Sequence, residues 1–112
     1  MDYANLLLEK GGYANLTAEE RAFVDAEALN QLRKIRNGLL AETDKYMTPD
    51  YPITDEQRSN LQTYRQELRD LTLTNSPMFE DDGGPILQNV NFPTNEFVTD
   101  DIFYKYAPMK VT

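Results

Sequence analysis

Carboxylates are the only plentiful groups in this chain that could move protons or hold a cation: 19 Asp and Glu stand against 11 Lys and Arg, with no His and no Cys. Two adjacent pairs, Asp81-Asp82 and Asp100-Asp101, are the candidate acid–base dyads. Neighbours in extended chain point in different directions, and neither pair has a His, Lys or Cys placed to complete a site, so catalysis is not expected. The run Glu80-Asp81-Asp82-Gly83-Gly84 offers oxygen ligands to calcium, yet it lacks the alternation D-x-[DN]-x-[DN]-G and a closing glutamate downstream. It reads as a solvated turn, and neither metal nor cofactor is expected. The absence of His and Cys removes disulfides, zinc-type sites, thiol nucleophiles and the side chain that titrates near neutrality.

Two further groups could recognise rather than react. The aromatics Phe92, Phe97, Phe103, Tyr104 and Tyr106 could stack on bases or sugars, but Asp100 and Asp101 lie among them and the net charge is -8. That charge repels a phosphate backbone and an anionic bilayer alike, so packing on the first helix or on a protein partner is expected instead. The short alternation from Phe97 to Tyr106 would also suit an edge strand added to a partner's sheet. Arg65 and Arg69, one turn apart, pair imperfectly with acids of their own helix; their forks are aimed at the first helix or a partner carboxylate, unless that face is simply solvated.

The elements that must position these groups are few. A chain of 112 residues makes one small domain, and Leu, Ile, Val and Phe account for 26 of them, enough for a thin core. No stretch approaches the roughly 18 apolar residues of a membrane helix, and Leu6-Leu7-Leu8 is too short for a secretory segment. A soluble, intracellular protein is expected, and the lack of Cys fits a reducing compartment. A capping box at Thr17-Ala18-Glu19-Glu20 opens a helix that can run to about Thr43, and a second, Thr54-Asp55-Glu56-Gln57, opens one that continues through Leu71. Pro49 and Pro52 interrupt the linker, so the two helices fold back as an antiparallel hairpin.

Leu61, Tyr64, Leu68 and Leu71 recur at three, four and three, a narrow seam for one neighbouring helix, and meet the broad face of Leu29, Leu32, Ile35, Leu39 and Leu40 near the loop. The earlier apolar positions Ala22, Phe23 and Ala26 lie about 15 Å beyond the reach of the second helix at 1.5 Å per residue. Their cover must come from Leu6 to Leu8, from the C-terminal aromatics, from a second copy or from another protein, because a two-helix hairpin has too little interior to stand unaided.

The segment Arg36-Asn37-Gly38-Leu39-Leu40-Ala41-Glu42-Thr43-Asp44, a short linker, and Tyr64-Arg65-Gln66-Glu67-Leu68-Arg69-Asp70-Leu71 together resemble the phage tail assembly chaperone family, with its R-x-x-L-L-x-x-T-D and Y-R-Q-x-L-R-D strings. Phe92-Pro93-Thr94 is similar to the Phe-Pro element that usually follows. The resemblance covers roughly residues 33–73. It departs where Lys45-Tyr46 stands in place of the tryptophan after T-D, and where Thr74 to Asn91 stretch the step to Phe-Pro. It implies a protein that assists folding or trimerisation of a tail fibre, some relatives staying on the virion.

The expectation is therefore a mainly α protein: an irregular N-terminal segment over 1–16, an antiparallel two-helix hairpin over 17–74, and an extended acidic and aromatic arm over 75–112. Leu39, Leu40, Leu61, Tyr64, Leu68 and Leu71 form the hairpin seam. Phe23, Arg65, Arg69, Asp70, Phe92, Phe97, Phe103 and Tyr104 meet a partner, with Arg65, Arg69 and Asp70 also fixing the register. The resemblance implies a non-catalytic chaperone of a phage tail or tail-fibre protein, acting in the host cytoplasm during assembly. The alternatives are a structural subunit retained in the virion tail and an acidic DNA mimic. A second copy is a further possible partner; nucleic acid and membrane are not.

Overall fold

The computed structural model describes residues 2–84 and 87–107; the parts of the arm at 85, 86 and 108–112 lie outside the described residues. In order along the chain come α1 (Tyr3–Lys10), a 3₁₀ turn (Tyr13–Asn15), α2 (Ala18–Thr43), a 3₁₀ turn (Asp44–Met47), α3 (Asp55–Arg69), α4 (Leu71–Thr74) and α5 (Asp100–Tyr106). Among the described residues the nearest approach to a sheet is one isolated antiparallel bridge between Met78 and Gln88. The fold is mainly α and elongated, 53 × 26 × 20 Å, with α2 as its spine.

Both capping boxes form. Thr17 accepts from the Glu20 amide at 3.1 Å while Glu20 accepts from the Thr17 amide at 2.9 Å, and Thr54 and Gln57 repeat the exchange at 3.0 and 2.9 Å. The bond from the Thr17 backbone holds the Glu20 carboxyl below the usual glutamate range. Within the irregular N-terminal segment the chain makes two helical turns, started by Asp2, whose carboxylate accepts from the Ala4 amide at 2.9 Å, and stopped by Gly11. At the other end, residues 100–106 are helical, which corrects the edge-strand expectation for Phe97 to Tyr106. Asp100 and Asp101 favour the positive end of the helix, and Phe103 and Tyr106 then fall on one side.

The buried line on α2 is Val24, Ala28, Leu32, Ile35, Leu39 and Thr43. Its steps of four, four, three, four and four turn the line by about 100° around the axis from first to last. Different elements must therefore cover its two ends. Leu32, Ile35 and Leu39 pack with Tyr64, Leu68, Leu71 and Ala107, flanked by Leu40, Phe92, Val98, Phe103 and Tyr106. Val24 and Ala28 pack with Leu6, Leu7, Leu16 and Phe79, flanked by Tyr3, Tyr13 and Phe23, with the Tyr3 and Phe79 rings stacked at 3.8 Å.

The early half of the spine is thus sheltered from within, by α1 and the arm. The residues turned inward there are Val24 and Ala28, whereas Phe23 is half-buried and Ala22 and Ala26 are exposed. Stepping by three follows a line that slips 60° each time and leaves the core; stepping by four from Val24 stays on it. Of the large apolar side chains described, Leu8 and Leu73 are the ones left in solvent, at 64% and 82% exposure.

Leu61, Leu68 and Leu71 are sealed, as are Leu39 and the ring of Tyr64, while Leu40 is half-buried. Among the described residues the Tyr64 hydroxyl finds no hydrogen-bond partner, and burial pushes its pKa up to about 12.

Two substitutions test this packing. Leu68→Ala is expected to lower unfolding stability by about 2 to 5 kcal/mol in urea titration, a large share of the total for a domain this small. Tyr64→Phe removes a buried hydroxyl without a partner and is expected to leave stability unchanged or raise it by about 1 kcal/mol in the same titration.

Candidate functional site

The two strings of the hairpin meet at one side chain. Arg65, on the second turn from the end of α3, crosses to the end of α2, where its Nη1 donates to the Leu40 carbonyl at 2.8 Å and to Thr43 Oγ1 at 2.7 Å. Its Nη2 lies 2.8 Å from Asp44 Oδ1. The last turn of α2 contains no basic residue of its own, so the cation that complements its negative end comes from across the hairpin. Thr43 is fully buried; its hydroxyl donates back toward the Leu39 and Leu40 carbonyls, at 3.1 and 3.2 Å, while accepting from Arg65. Asp44 is 65% exposed, so the ion pair is the weaker part of the clamp and the two short bonds to Leu40 and Thr43 the stronger.

Arg69 and Asp70 stay on their own helix. Arg69 donates to Gln66 Oε1 at 3.0 Å and Asp70 accepts from Gln66 Nε2 at 3.1 Å, so of the three residues expected to fix the register Arg65 makes the bond across to α2. The Phe92-Pro93-Thr94 element also joins the hairpin. Phe92 packs on the larger cluster, its ring 5.0 Å from that of Phe103, and Pro93 shares a cleft of about 210 Å³ with Glu67, Asp70, Leu71, Thr74 and Asn91. Phe97 stacks on Tyr46 at 4.6 Å, which places the aromatic after T-D against the arm. Tyr104, half-buried, meets Phe103 edge-on at 5.3 Å. Phe23 lines a shallow cleft of about 470 Å³ with Thr17, Glu19 and Glu20 and packs on the amino-end cluster, whereas Phe92 and Phe103 pack on the other.

Several positioning residues carry no signal in the residue pattern. Arg58 gathers the linker by donating to the Tyr46 and Thr48 carbonyls, both at 3.3 Å. Arg21 does the same for the first 3₁₀ turn, reaching the Ala14 carbonyl at 2.7 Å, and Tyr13 donates to Asp25 at 2.9 Å. Gly38, read from sequence as a cost to the first helix, is where α5 docks: a Cβ there would fall on the Tyr106 ring. The Tyr106 hydroxyl donates to Glu42 Oε1 at 2.6 Å, with Lys105 Nζ 3.5 Å from the same oxygen. These bonds hold the Glu42 carboxyl below the usual glutamate range and push the Tyr106 phenol up.

The acidic run is used for docking. Asp81 accepts from the Tyr13 amide at 3.1 Å, Asp82 accepts from the Gly84 amide at 2.9 Å, and Gly83, at φ +83°, lies so close to Ala4 that a Cβ would come within 2.6 Å of its carbonyl oxygen. Among the described residues no three His, Cys, Asp or Glu side chains converge as a metal site. No helix among them is long and apolar enough to cross a membrane.

A family model described as phage tail assembly chaperone protein matches residues 29–95. The match takes in both strings, the linker and the Phe-Pro element, so the resemblance read from residues 33–73 is borne out and extended at both ends. No curated protein matches the chain significantly, and no solved structure does.

Arg65→Lys keeps the charge but loses the fork, and is expected to cost about 1 to 3 kcal/mol of stability by urea titration. Asp44→Asn removes the exposed ion pair alone and is expected to cost less than about 1 kcal/mol in the same measurement.

Proposed function

The chain belongs to the phage tail assembly chaperone family, and from that premise we propose that it binds a tail or tail-fibre protein during virion assembly, without catalysis, in the cytoplasm of the infected cell. Its role lies in tail assembly; the fibre protein as client is the finer reading. The observation that carries it is the family match over residues 29–95, the stretch in which Arg65 clasps the two strings together.

Packing does not demand a partner, because both halves of α2 are covered by the chain itself. The client must therefore be recognised by surface. Arg69 is exposed on α3 and Asp70 half-exposed after it, and Leu73, one turn beyond Arg69, is the most exposed large apolar side chain described. They offer a charged pair beside an apolar contact, the mix found where a protein partner docks. Phe23 and the half-buried aromatics Phe92, Phe97, Phe103 and Tyr104 are the further contacts proposed, together with Arg65 where its edge reaches solvent.

Coexpression with tail and tail-fibre proteins of the same phage tests this reading. The expected result is copurification with one of them and a larger soluble, correctly assembled fraction of that client. Unchanged client solubility with no copurification would overturn it. Recovery of the chain from purified particles at fixed stoichiometry would point instead to a subunit kept in the virion tail.

A further inference from the structure

We propose that the outward face of α2 between Asn30 and Ala41 is a docking surface for an acidic segment of a protein partner. That this partner is a tail protein rests on the function proposed above; the charge of the face does not.

Residues 28–41 contain Arg33, Lys34 and Arg36 and no Asp or Glu, so all 19 carboxylates of the chain lie outside this stretch. At 100° per residue Asn30, Arg33, Lys34, Asn37 and Ala41 share one side of the helix, opposite Leu32, Ile35 and Leu39. All five are exposed, and neither apolar cluster includes them. Arg36 stands half-buried at the flank. The ion pairs among the described residues are Lys10 with Glu20, Arg65 with Asp44 and Lys105 with Glu42, so none of the three cations on this stretch is neutralised there.

Amides hold the two forks instead. Asn30 Oδ1 accepts from Arg33 Nη1 and Asn37 Oδ1 accepts from Arg36 Nε, each at 3.2 Å. These bonds orient the guanidinium groups without discharging them, and each group keeps further N–H donors for a carboxylate, which arginine can grip with two parallel bonds.

Charge selects the occupant. Elsewhere the chain is strongly acidic, its net charge being -8 with these three cations counted, so a carboxylate-bearing segment is repelled except here. Screening makes that choice local, because the Debye length of about 8 Å at physiological ionic strength is short against a molecule 53 Å long. The acids that flank the stretch do not cancel it: Asp25 takes the Tyr13 hydroxyl, Glu42 the Tyr106 hydroxyl and Asp44 the Arg65 fork. They do limit its length to about 20 Å at 1.5 Å per residue. A nucleic-acid strand would run past both ends onto carboxylates, whereas two or three acidic side chains of a protein segment fit within it. The whole face lies inside the matched residues 29–95.

The probe is labelled hexaglutamate, titrated into the full chain by fluorescence anisotropy. Arg33→Gln with Lys34→Gln, which keeps helix propensity, is expected to weaken binding about tenfold. Lys10→Gln with Lys45→Gln removes the same charge elsewhere and is expected to weaken it by less than about twofold. Equal loss from the two pairs, or no binding by wild type, would overturn the face. A labelled oligothymidylate of equal length that binds more tightly than hexaglutamate, and is lost with the first pair, would name nucleic acid and overturn the protein partner. In coexpression, the tail protein captured by wild type is expected to be lost from Arg33→Glu with Lys34→Glu; circular dichroism checks the helix, and the Gln pair replaces the Glu pair if the latter does not fold. A tail protein that stays bound overturns this proposal and leaves the assembly role intact. Failure of wild type to capture any tail protein overturns the assembly role and the partner named here, while the hexaglutamate titration still decides the face. A salt-sensitive dimer of wild type in sedimentation, abolished by the same charge reversal, would identify a second copy as the occupant and overturn the tail protein.

Discussion

The arrangement depends on how the carboxyl end of a long helix is finished. α2 arrives at Thr43 with its last carbonyls short of donors and no basic residue in the final turn, an end that is costly to bury. Arg65 resolves this from the facing helix. It supplies charge and donors together: one guanidinium nitrogen donates to both Leu40 and Thr43 while the other faces Asp44, so a single planar group holds all three contacts. The same bonds set which turn of α3 lies beside which turn of α2, since sliding α3 by one turn would carry the guanidinium past the helix end. Leu61, Tyr64, Leu68 and Leu71 then meet Leu32, Ile35 and Leu39 in register. The seam supplies the adhesion and the clamp chooses the alignment.

Everything outside the hairpin follows from the drift of the buried line on α2. A line that turns by about 100° over its length cannot be covered by one antiparallel helix. The chain answers with α1 and Phe79 at the amino end and with Phe92, Phe103, Tyr106 and Ala107 beside the seam. Polar bonds lock these covers in place: Tyr13 to Asp25, Arg21 to Ala14, Asp81 to Tyr13 and Tyr106 to Glu42. A two-helix hairpin that would be marginal alone becomes a small domain with two apolar clusters.

Much of this was legible in the residue types. The capping boxes at Thr17 and Thr54 located both helix starts, because a hydroxyl and a carboxylate or amide three residues apart satisfy two backbone groups whatever the tertiary context. The three-four-three spacing from Leu61 to Leu71 marked the positions that are sealed on α3 and α4. The amino-terminal half of α2 was misread, since Ala22, Phe23 and Ala26 outrank Val24 and Ala28 by apparent spacing until the covering elements are known. α5 was hidden for a related reason: seven residues have no helical signal strong enough to compete with an alternating reading, and its helix forms against Gly38 and Glu42, more than fifty residues away in sequence. Arg65 stood out as an unpaired fork, but Arg69 looked equivalent to it. What separates them is the distance from the end of α2, a tertiary fact.

The division between what is shared and what is particular runs along the same physical lines. The matched region contains the contacts that would fail together: the clamp, the seam, the linker gathered by Arg58, and the Phe-Pro element against α3. A change in any of them moves the others, which restricts how far such a segment can vary. α1 and α5 touch that unit from outside, each through a few side chains, and a different sequence could cover the same surface. The two ends of α2, one beneath α1 and the other beside α5, are covered without any of these side chains entering the bond between Arg65 and Thr43.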